Sequence, residues 1–86
     1  MNIITTKLIA DRRKVDGSKT ESIYINDVPV GRLTAYYDIL GRLECYNADL
    51  RCAGGQWGAS YYRRDDALNW ALARAVSLGL HLKGDS

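Results

Sequence analysis

Few side chains in this sequence have the types and spacing that catalysis or metal binding requires. His81 is the only histidine, and Cys45 and Cys52 are the only cysteines. Because no histidine or further cysteine lies near the two thiols, their spacing does not match a zinc ligand set. We therefore expect two free thiols, a solvated histidine, and neither a metal nor a cofactor.

The carboxylates and glycines are placed for structure rather than for chemistry. Asp65 and Asp66 stand at the expected start of a helix, where acids complement the positive end of the helix dipole. The glycines of the Cys-Ala-Gly-Gly segment are not followed by the Gly-Lys-Ser/Thr sequence of a phosphate-binding loop. We predict that the protein is not an enzyme.

Aromatic and basic side chains remain, and their chemistry is recognition. Two tyrosines and two arginines are consecutive at positions 61–64, between a predicted strand and a predicted helix. Trp70 lies off the apolar face of that helix, with Arg74 one turn further on. Such residues are over-represented at interface centres. The alternative is that a loop or the N-terminal arm covers Trp70, or that its ring bends to the sheet margin. The predicted partner-binding residues are Tyr61, Tyr62, Arg63, Arg64, Trp70 and Arg74.

A second basic cluster, Arg12, Arg13 and Lys14, lies on a predicted loop. Together with Tyr36 and Tyr46 on strands, it would form a nucleic-acid-binding surface that contacts phosphates. The plainer interpretation is that these charges serve solubility. A net charge of +2 does not demand a nucleic-acid partner, but it excludes a mimic of DNA, which needs a strongly negative surface.

One helix, predicted from Arg64 to Leu78, must position the tryptophan and its neighbours. Asp65 and Asp66 suit its first turn, Gly79 followed by Leu80 suits a left-handed C-terminal cap, and Arg63 stands where a capping Ser or Thr is expected. The apolar residues recur at helical spacing and predict the buried face. These residues are Leu68, Ala71, Leu72, Ala75 and Val76.

Five strands are predicted upstream of the helix. They are Asn2 to Ala10, Glu21 to Ile25, Val30 to Tyr37, Arg42 to Leu50 and Gln56 to Tyr62. Asn26-Asp27 favours a tight hairpin, Pro29 a sheet edge or bulge, and Gly17-Ser18 the tip of a loop over residues 11–20. The first strand is predicted to be interior, because both of its rows carry apolar residues.

Hairpin-length connections predict an α+β fold in one domain, residues 1–86, with a mainly antiparallel sheet of four to five strands. The order is β-β-β-β-β-α, with the C-terminal helix packed on one face. The other face would be solvated or used for binding. No apolar run approaches a membrane span, and the N-terminus lacks a secretory signal, so we expect a cytoplasmic protein without a membrane partner.

The segment GQWGASYYRRDDALNWALARA combines an aromatic strand, a basic step, an acidic pair and an A-L-x-W-A helix start. Over about residues 56–80 it resembles the closing strand and helix of small phage and mobile-element proteins, including anti-CRISPR inhibitors. It is also similar to the N-terminal arm-binding domains of tyrosine recombinases, whose sheets read DNA. The resemblance implies a non-enzymatic accessory protein.

Three hypotheses about its partner follow. The first is that the protein binds and inhibits a host defence complex, made of protein or of ribonucleoprotein. The second is nucleic-acid binding through the open sheet face and the basic loop. The third is a homodimer that buries Trp70 or the open sheet face.

Overall fold

The computed structural model describes residues 2–52 and 55–78, without the side chain of Cys52. Its elements in chain order are β1 (Ile4–Arg12), β2 (Ser18–Ile25), β3 (Val28–Tyr37), β4 (Leu43–Cys52), β5 (Gly55–Tyr61) and α1 (Arg64–Ser77). The strands form one sheet in the order β1-β2-β3-β4-β5, and each neighbouring pair is antiparallel. The predicted α+β fold, with five strands and one helix, is confirmed.

The turn between β2 and β3 forms as predicted. Asn26 and Asp27 have φ angles of 50° and 66°, the left-handed values that a tight hairpin turn requires. The register between β2 and β3 shifts between Ile23 and Tyr24, and Pro29 is paired with Tyr24 at that shift. The bulge predicted at Pro29 is therefore present, which is where a residue without an N–H fits.

The prediction that the first strand is interior is wrong. β1 is an edge strand, because each strand is joined by a short turn to its neighbour and the sheet order follows the chain order. Leu8 and Ile9 are about half exposed, at 50% and 49%. The composition of β1 reflects the β-propensity of Ile and Thr rather than burial on two faces.

Other boundaries differ by small amounts. α1 begins at Arg64 as predicted and ends at Ser77, and β5 is shifted by one residue. The loop predicted over residues 11–20 is shorter, because β1 continues to Arg12 and β2 already begins at Ser18. The cap predicted at Gly79 and Leu80 lies outside the described residues.

The core lies between the sheet and α1. Its fully or almost fully buried side chains are Ile23, Ile25, Val30, Leu33, Ala35, Ala48, Leu50, Ala67, Ala71 and Ala75. α1 packs chiefly on β4 and β5. Within the described residues, no buried side-chain polar atom lacks a hydrogen-bond partner.

The buried face of α1 is rotated from the predicted one. A row of small residues, Ala67, Ala71 and Ala75, is fully buried, whereas Val76 is 52% exposed. Alanine brings the helix axis close to the sheet, so larger side chains are moved to the two sides of the row. Leu72 and Trp70 are both half-buried and packed against the core.

Candidate protein-interaction surface

The two predicted helix residues, Trp70 and Arg74, lie beside β5. α1 runs back along β5, and the Arg74 guanidinium near its end stands over the Trp57 ring, with Cζ 6.0 Å from the ring centroid. This distance is within cation–π range. Trp57 is opposite Leu50, whose side chain is fully buried, so its ring is on the side of the sheet that α1 covers.

Trp70 is partly covered by the described part of the chain. Its side chain is half-buried at the margin of the core and lines a shallow surface groove with Ala73, Arg74 and Ser77. We call this surface, together with Trp57, the β5–α1 groove. It combines two indole rings with one guanidinium, a composition typical of the energetic centres of protein interfaces.

Tyr61 and Tyr62 lie at the other end of β5. Tyr61 is half-buried against the core, and Tyr62 is 84% exposed. Both line a second shallow pocket with Glu44, Cys45 and Ser60. The structure therefore places Tyr61 on the same strand as Trp57, and Tyr62 directly after that strand, but does not bring either tyrosine together with Trp70.

Arg63 and Arg64, at the junction of β5 and α1, have different surroundings. Arg63 is exposed. Arg64 instead donates from Nη2 to Thr6 Oγ1 at 2.8 Å and to Glu21 Oε1 at 3.0 Å, and Thr6 Oγ1 donates to the same carboxylate at 2.9 Å. Arg64 thus ties the start of α1 to β1 and β2, while its predicted role in partner binding stays a prediction.

The outer edge of β5 is the second feature of this side. Among the described strands only β4 pairs with β5, so alternate N–H and C=O groups of β5 are directed away from the sheet. The strand reads GQWGASY, without a charge or a proline, and its register with β4 is unbroken. Natural edge strands usually carry charged side chains, a proline or a bulge, which discourage pairing with other chains. We call an edge with such features guarded and the edge of β5, which has none, unguarded.

The opposite edge has those guards. β1 has an irregularity in register between Leu8 and Ala10, and it carries Lys7, Asp11 and Arg12. A bulge and charged side chains discourage the addition of another strand. The two edges of the sheet are thus unlike, and the unguarded edge adjoins the β5–α1 groove.

The basic cluster of the alternative hypothesis is largely neutralised by its own neighbours. Arg12 Nε is 3.0 Å from Asp16 Oδ2, and Arg13 binds Asp11 through Nε at 2.9 Å and Nη2 at 2.7 Å. Hydrogen bonds from Arg13 lower the pKa of Asp11 to about 2. Lys14 is exposed. Two of the three predicted phosphate contacts are therefore already engaged with carboxylates.

The two tyrosines of that hypothesis lie on opposite faces of the sheet. Tyr36 is paired with Cys45 on the open face and is 40% exposed. Tyr46 is paired with Ala35 and Tyr61 on the covered face and packs against the core. Tyr46 is thus not on the open face, because its partner Ala35 and Tyr36 are consecutive residues of β3, and consecutive residues of a strand point to opposite faces.

The open face itself is polar. One row of cross-strand partners contains Thr20, Thr34, Asn47 and Ser60. Ser60 Oγ donates to Asn47 Oδ1 at 3.4 Å within that row. Hydroxyl and amide side chains of this kind are compatible with water, so this face needs no partner to be stable.

Sequence reasoning missed Trp57 and the β5 edge as parts of the surface. The absence of charge along residues 55–61, in a strand that precedes the helix, was the available signal. Comparison with protein-family models, with curated proteins and with solved structures finds no match.

Within the described residues, no helix is long and apolar enough to cross a membrane. The same residues contain no group of three or more His, Cys, Asp or Glu side chains that could hold a metal ion. Cys45 is a free thiol.

Proposed function

We propose that this chain is a non-enzymatic binding protein that recognises another protein through the β5–α1 groove. The observation that carries the proposal is the placement of Arg74 over Trp57, beside the half-exposed ring of Trp70. At 6.0 Å this contact is at the outer limit of the cation–π range, and it favours guanidinium positions near the groove before a partner binds. The side chains are therefore pre-organised for a partner, which lowers the entropic cost of association.

The partner class follows from the chemistry of the groove. Two indole rings offer apolar contact area, and Arg74 offers a planar set of donors for a carboxylate or a backbone carbonyl. The exposed Tyr62 and Arg63 lie past the far end of β5 and offer a second, separate contact area. A protein surface with an apolar projection next to an acidic group fits these features better than a phosphate backbone does.

In biological terms, we propose that the protein acts in the cytoplasm as a phage or plasmid accessory protein. It would bind a host defence complex, of protein or ribonucleoprotein, and inhibit it by occupying a surface that the complex needs. This part of the proposal is supported by the resemblance of residues 56–80 to anti-CRISPR-like proteins. No bond has to be made or broken for such inhibition.

The test is a pull-down from host lysate with the tagged chain. One half of the lysate is treated with nuclease and the other half is not. We expect a discrete protein that survives nuclease treatment and whose recovery falls at least about tenfold for Trp70→Ala or Arg74→Ala, the size of effect that an interface hot spot produces. Lys7→Ala, on the guarded β1 edge, is the matched control. Equal recovery by all four proteins would refute the proposed groove, and recovery abolished by nuclease would point to nucleic acid instead.

A further inference from the structure

The unguarded edge of β5 is suited to one partner in particular, which is a second copy of the same strand. We propose that two copies of the chain pair β5 to β5, antiparallel, about a two-fold axis through Gly58. The two five-stranded sheets would then join into one continuous sheet, with both helices on the same side. A two-fold contact of this kind closes on itself, so it gives a dimer rather than a filament.

The sequence of β5 is complementary to itself in this register. In a continuous antiparallel sheet, residues that face each other must have side chains on the same face, so the full seven-residue overlap has its axis at the middle residue, Gly58. The facing pairs are Gly55 with Tyr61, Gln56 with Ser60, Trp57 with Ala59, and Gly58 with itself.

Each pair in this register joins chemically suitable groups. On the helix side, the large rings of Trp57 and Tyr61 each face a small residue of the other copy, so neither ring meets another ring head-on. On the open side, the amide of Gln56 faces the hydroxyl of Ser60. Because β5 has no charged side chain, no like charges oppose each other across the axis.

The same pairing across the β1 edge would be unfavourable. The irregularity in register between Leu8 and Ala10 breaks the line of hydrogen-bonding groups. In the full overlap, whose axis is at Leu8, Lys7 would face Ile9 and Arg12 would face Ile4, so charged side chains would meet apolar ones. The difference between the edges selects β5 as the only well-formed site for a sixth strand among the described strands.

The dimer would also complete the binding surface. Neighbouring strands are about 4.8 Å apart, so two helices centred over β4 and β5 of their own copies would stand roughly 10–14 Å from each other across the axis. Since a helix with its side chains is about 10–12 Å across, the two β5–α1 grooves would then meet and form one narrow channel between the helices, above the β5 strands. Trp70 and Arg74 of both copies would line it.

The dimer itself does not depend on the proposed partner, whereas the shared channel rests on the proposed function. The two can therefore be tested separately. The dimer is tested with the full chain alone, by sedimentation equilibrium. The channel is tested by partner recovery with variants that change only the association of the two copies.

Two double variants test the register of the dimer. Gln56→Glu with Ser60→Glu places carboxylates opposite each other across the axis, whereas Gln56→Glu with Ser60→Lys places opposite charges there. Both residues are exposed, and within the chain Gln56 is paired with Arg51, so both variants should fold. Circular dichroism and the thermal midpoint check this.

We expect the wild-type chain to sediment at twice the chain mass at about 0.5 mM, where complexes with a Kd below about 0.1 mM are mostly formed. The dissociation constant should rise at least about tenfold for the Glu/Glu variant, as like charges directly opposite are destabilising, and should be equal or lower for the Glu/Lys variant. A wild-type monomer at this concentration, or equal weakening in the two variants, would overturn the proposal. Partner recovery by a Glu/Glu monomer at wild-type level would overturn the shared channel while leaving the groove intact.

Discussion

At the scale of residues, the proposed binding surface depends on three side chains: Trp57, Trp70 and Arg74. The contact between Arg74 and Trp57 closes over sixteen intervening residues, because Arg74 in the helix reaches back to β5. The sequence predicted that Trp70 and Arg74 belong together, since they are one helical turn apart. It did not predict Trp57, because the register of β5 and the direction of α1 across the sheet decide which ring Arg74 meets.

Trp70 is half-buried, and this sets the effect of its removal on stability. Trp70→Ala should lower the free energy of unfolding by about 1–2 kcal/mol, less than the 3–5 kcal/mol typical of a fully enclosed tryptophan. Urea unfolding followed by circular dichroism measures this, with Val76→Ala, a half-exposed residue of the same helix, as the control. A loss of about 4 kcal/mol or more would mean that Trp70 is a core residue and not part of a groove.

The ion pair of Asp11 and Arg13 should make the stability of the fold depend on pH. The pKa of Asp11 is lowered to about 2 from 3.8, chiefly by hydrogen bonds from Arg13. A lowered folded-state pKa means that the contribution to stability is present above the unfolded value and is lost as the pH falls from about 4 towards 2. Titration of the Asp11 carboxyl by NMR should give a midpoint near pH 2, and Arg13→Ala should move it up towards 4. A midpoint near 4 in the wild-type chain would show that the pair is not formed.

At the scale of elements, the helix and strands were predictable because their signals are local. Periodic apolar residues, the acids at 65–66 and the Asn26-Asp27 turn indicate where each element begins and ends. The faces and edges were less predictable, because they depend on packing between elements. The row of alanines rotated α1 away from the expected face, and the meander order placed β1 at an edge. Arg64, predicted to bind a partner, also binds Glu21, which is 43 positions away in the sequence.

The start of α1 is not optimally capped, which gives a stabilising substitution. Arg63 is the N-cap residue, has an extended backbone with φ −118° and ψ 138°, and makes no side-chain hydrogen bond to the helix. Arg63→Ser should raise the free energy of unfolding by about 1 kcal/mol, because a hydroxyl at this position accepts from a first-turn N–H. Tyr62→Ser, one residue earlier, should not. No gain for Arg63→Ser in a urea unfolding curve would contradict the observed start of the helix.

The approach of β3 to β4 gives a destabilising substitution. A Cβ atom at Gly31 would overlap the carbonyl oxygen of Asp49, which belongs to the backbone of β4 and cannot move away independently. Gly31→Ala should therefore cost about 1–3 kcal/mol or prevent folding. At Gly58, by contrast, a Cβ would meet the Asp49 side chain at 3.0 Å and the Ala48 carbonyl oxygen at an ordinary contact distance of 3.6 Å, so Gly58→Ala should cost less. Equal stabilities of the two variants would show that the strands do not approach as described.

At the scale of the whole molecule, the sheet has one covered face, one polar face and two unlike edges. The polar face needs no partner, the β1 edge is guarded, and the β5 edge adjoins the groove. Every proposed interaction therefore concentrates on one side of the protein, which is the side that the C-terminal strand and helix form. β5 and α1 belong to the strand-to-helix segment that the sequence pattern singled out. The proposed binding surface forms where these two elements contact each other.

The most direct test of the central claim is site-specific photo-crosslinking inside host cells. A photoreactive residue at Ala73, which lines the β5–α1 groove, is compared with one at Lys7 on the guarded edge. We predict that Ala73 crosslinks to a discrete host protein after nuclease treatment, and to a second copy of the chain, whereas Lys7 does not. Crosslinks to the same proteins from both positions, or to nucleic acid alone, would contradict the account.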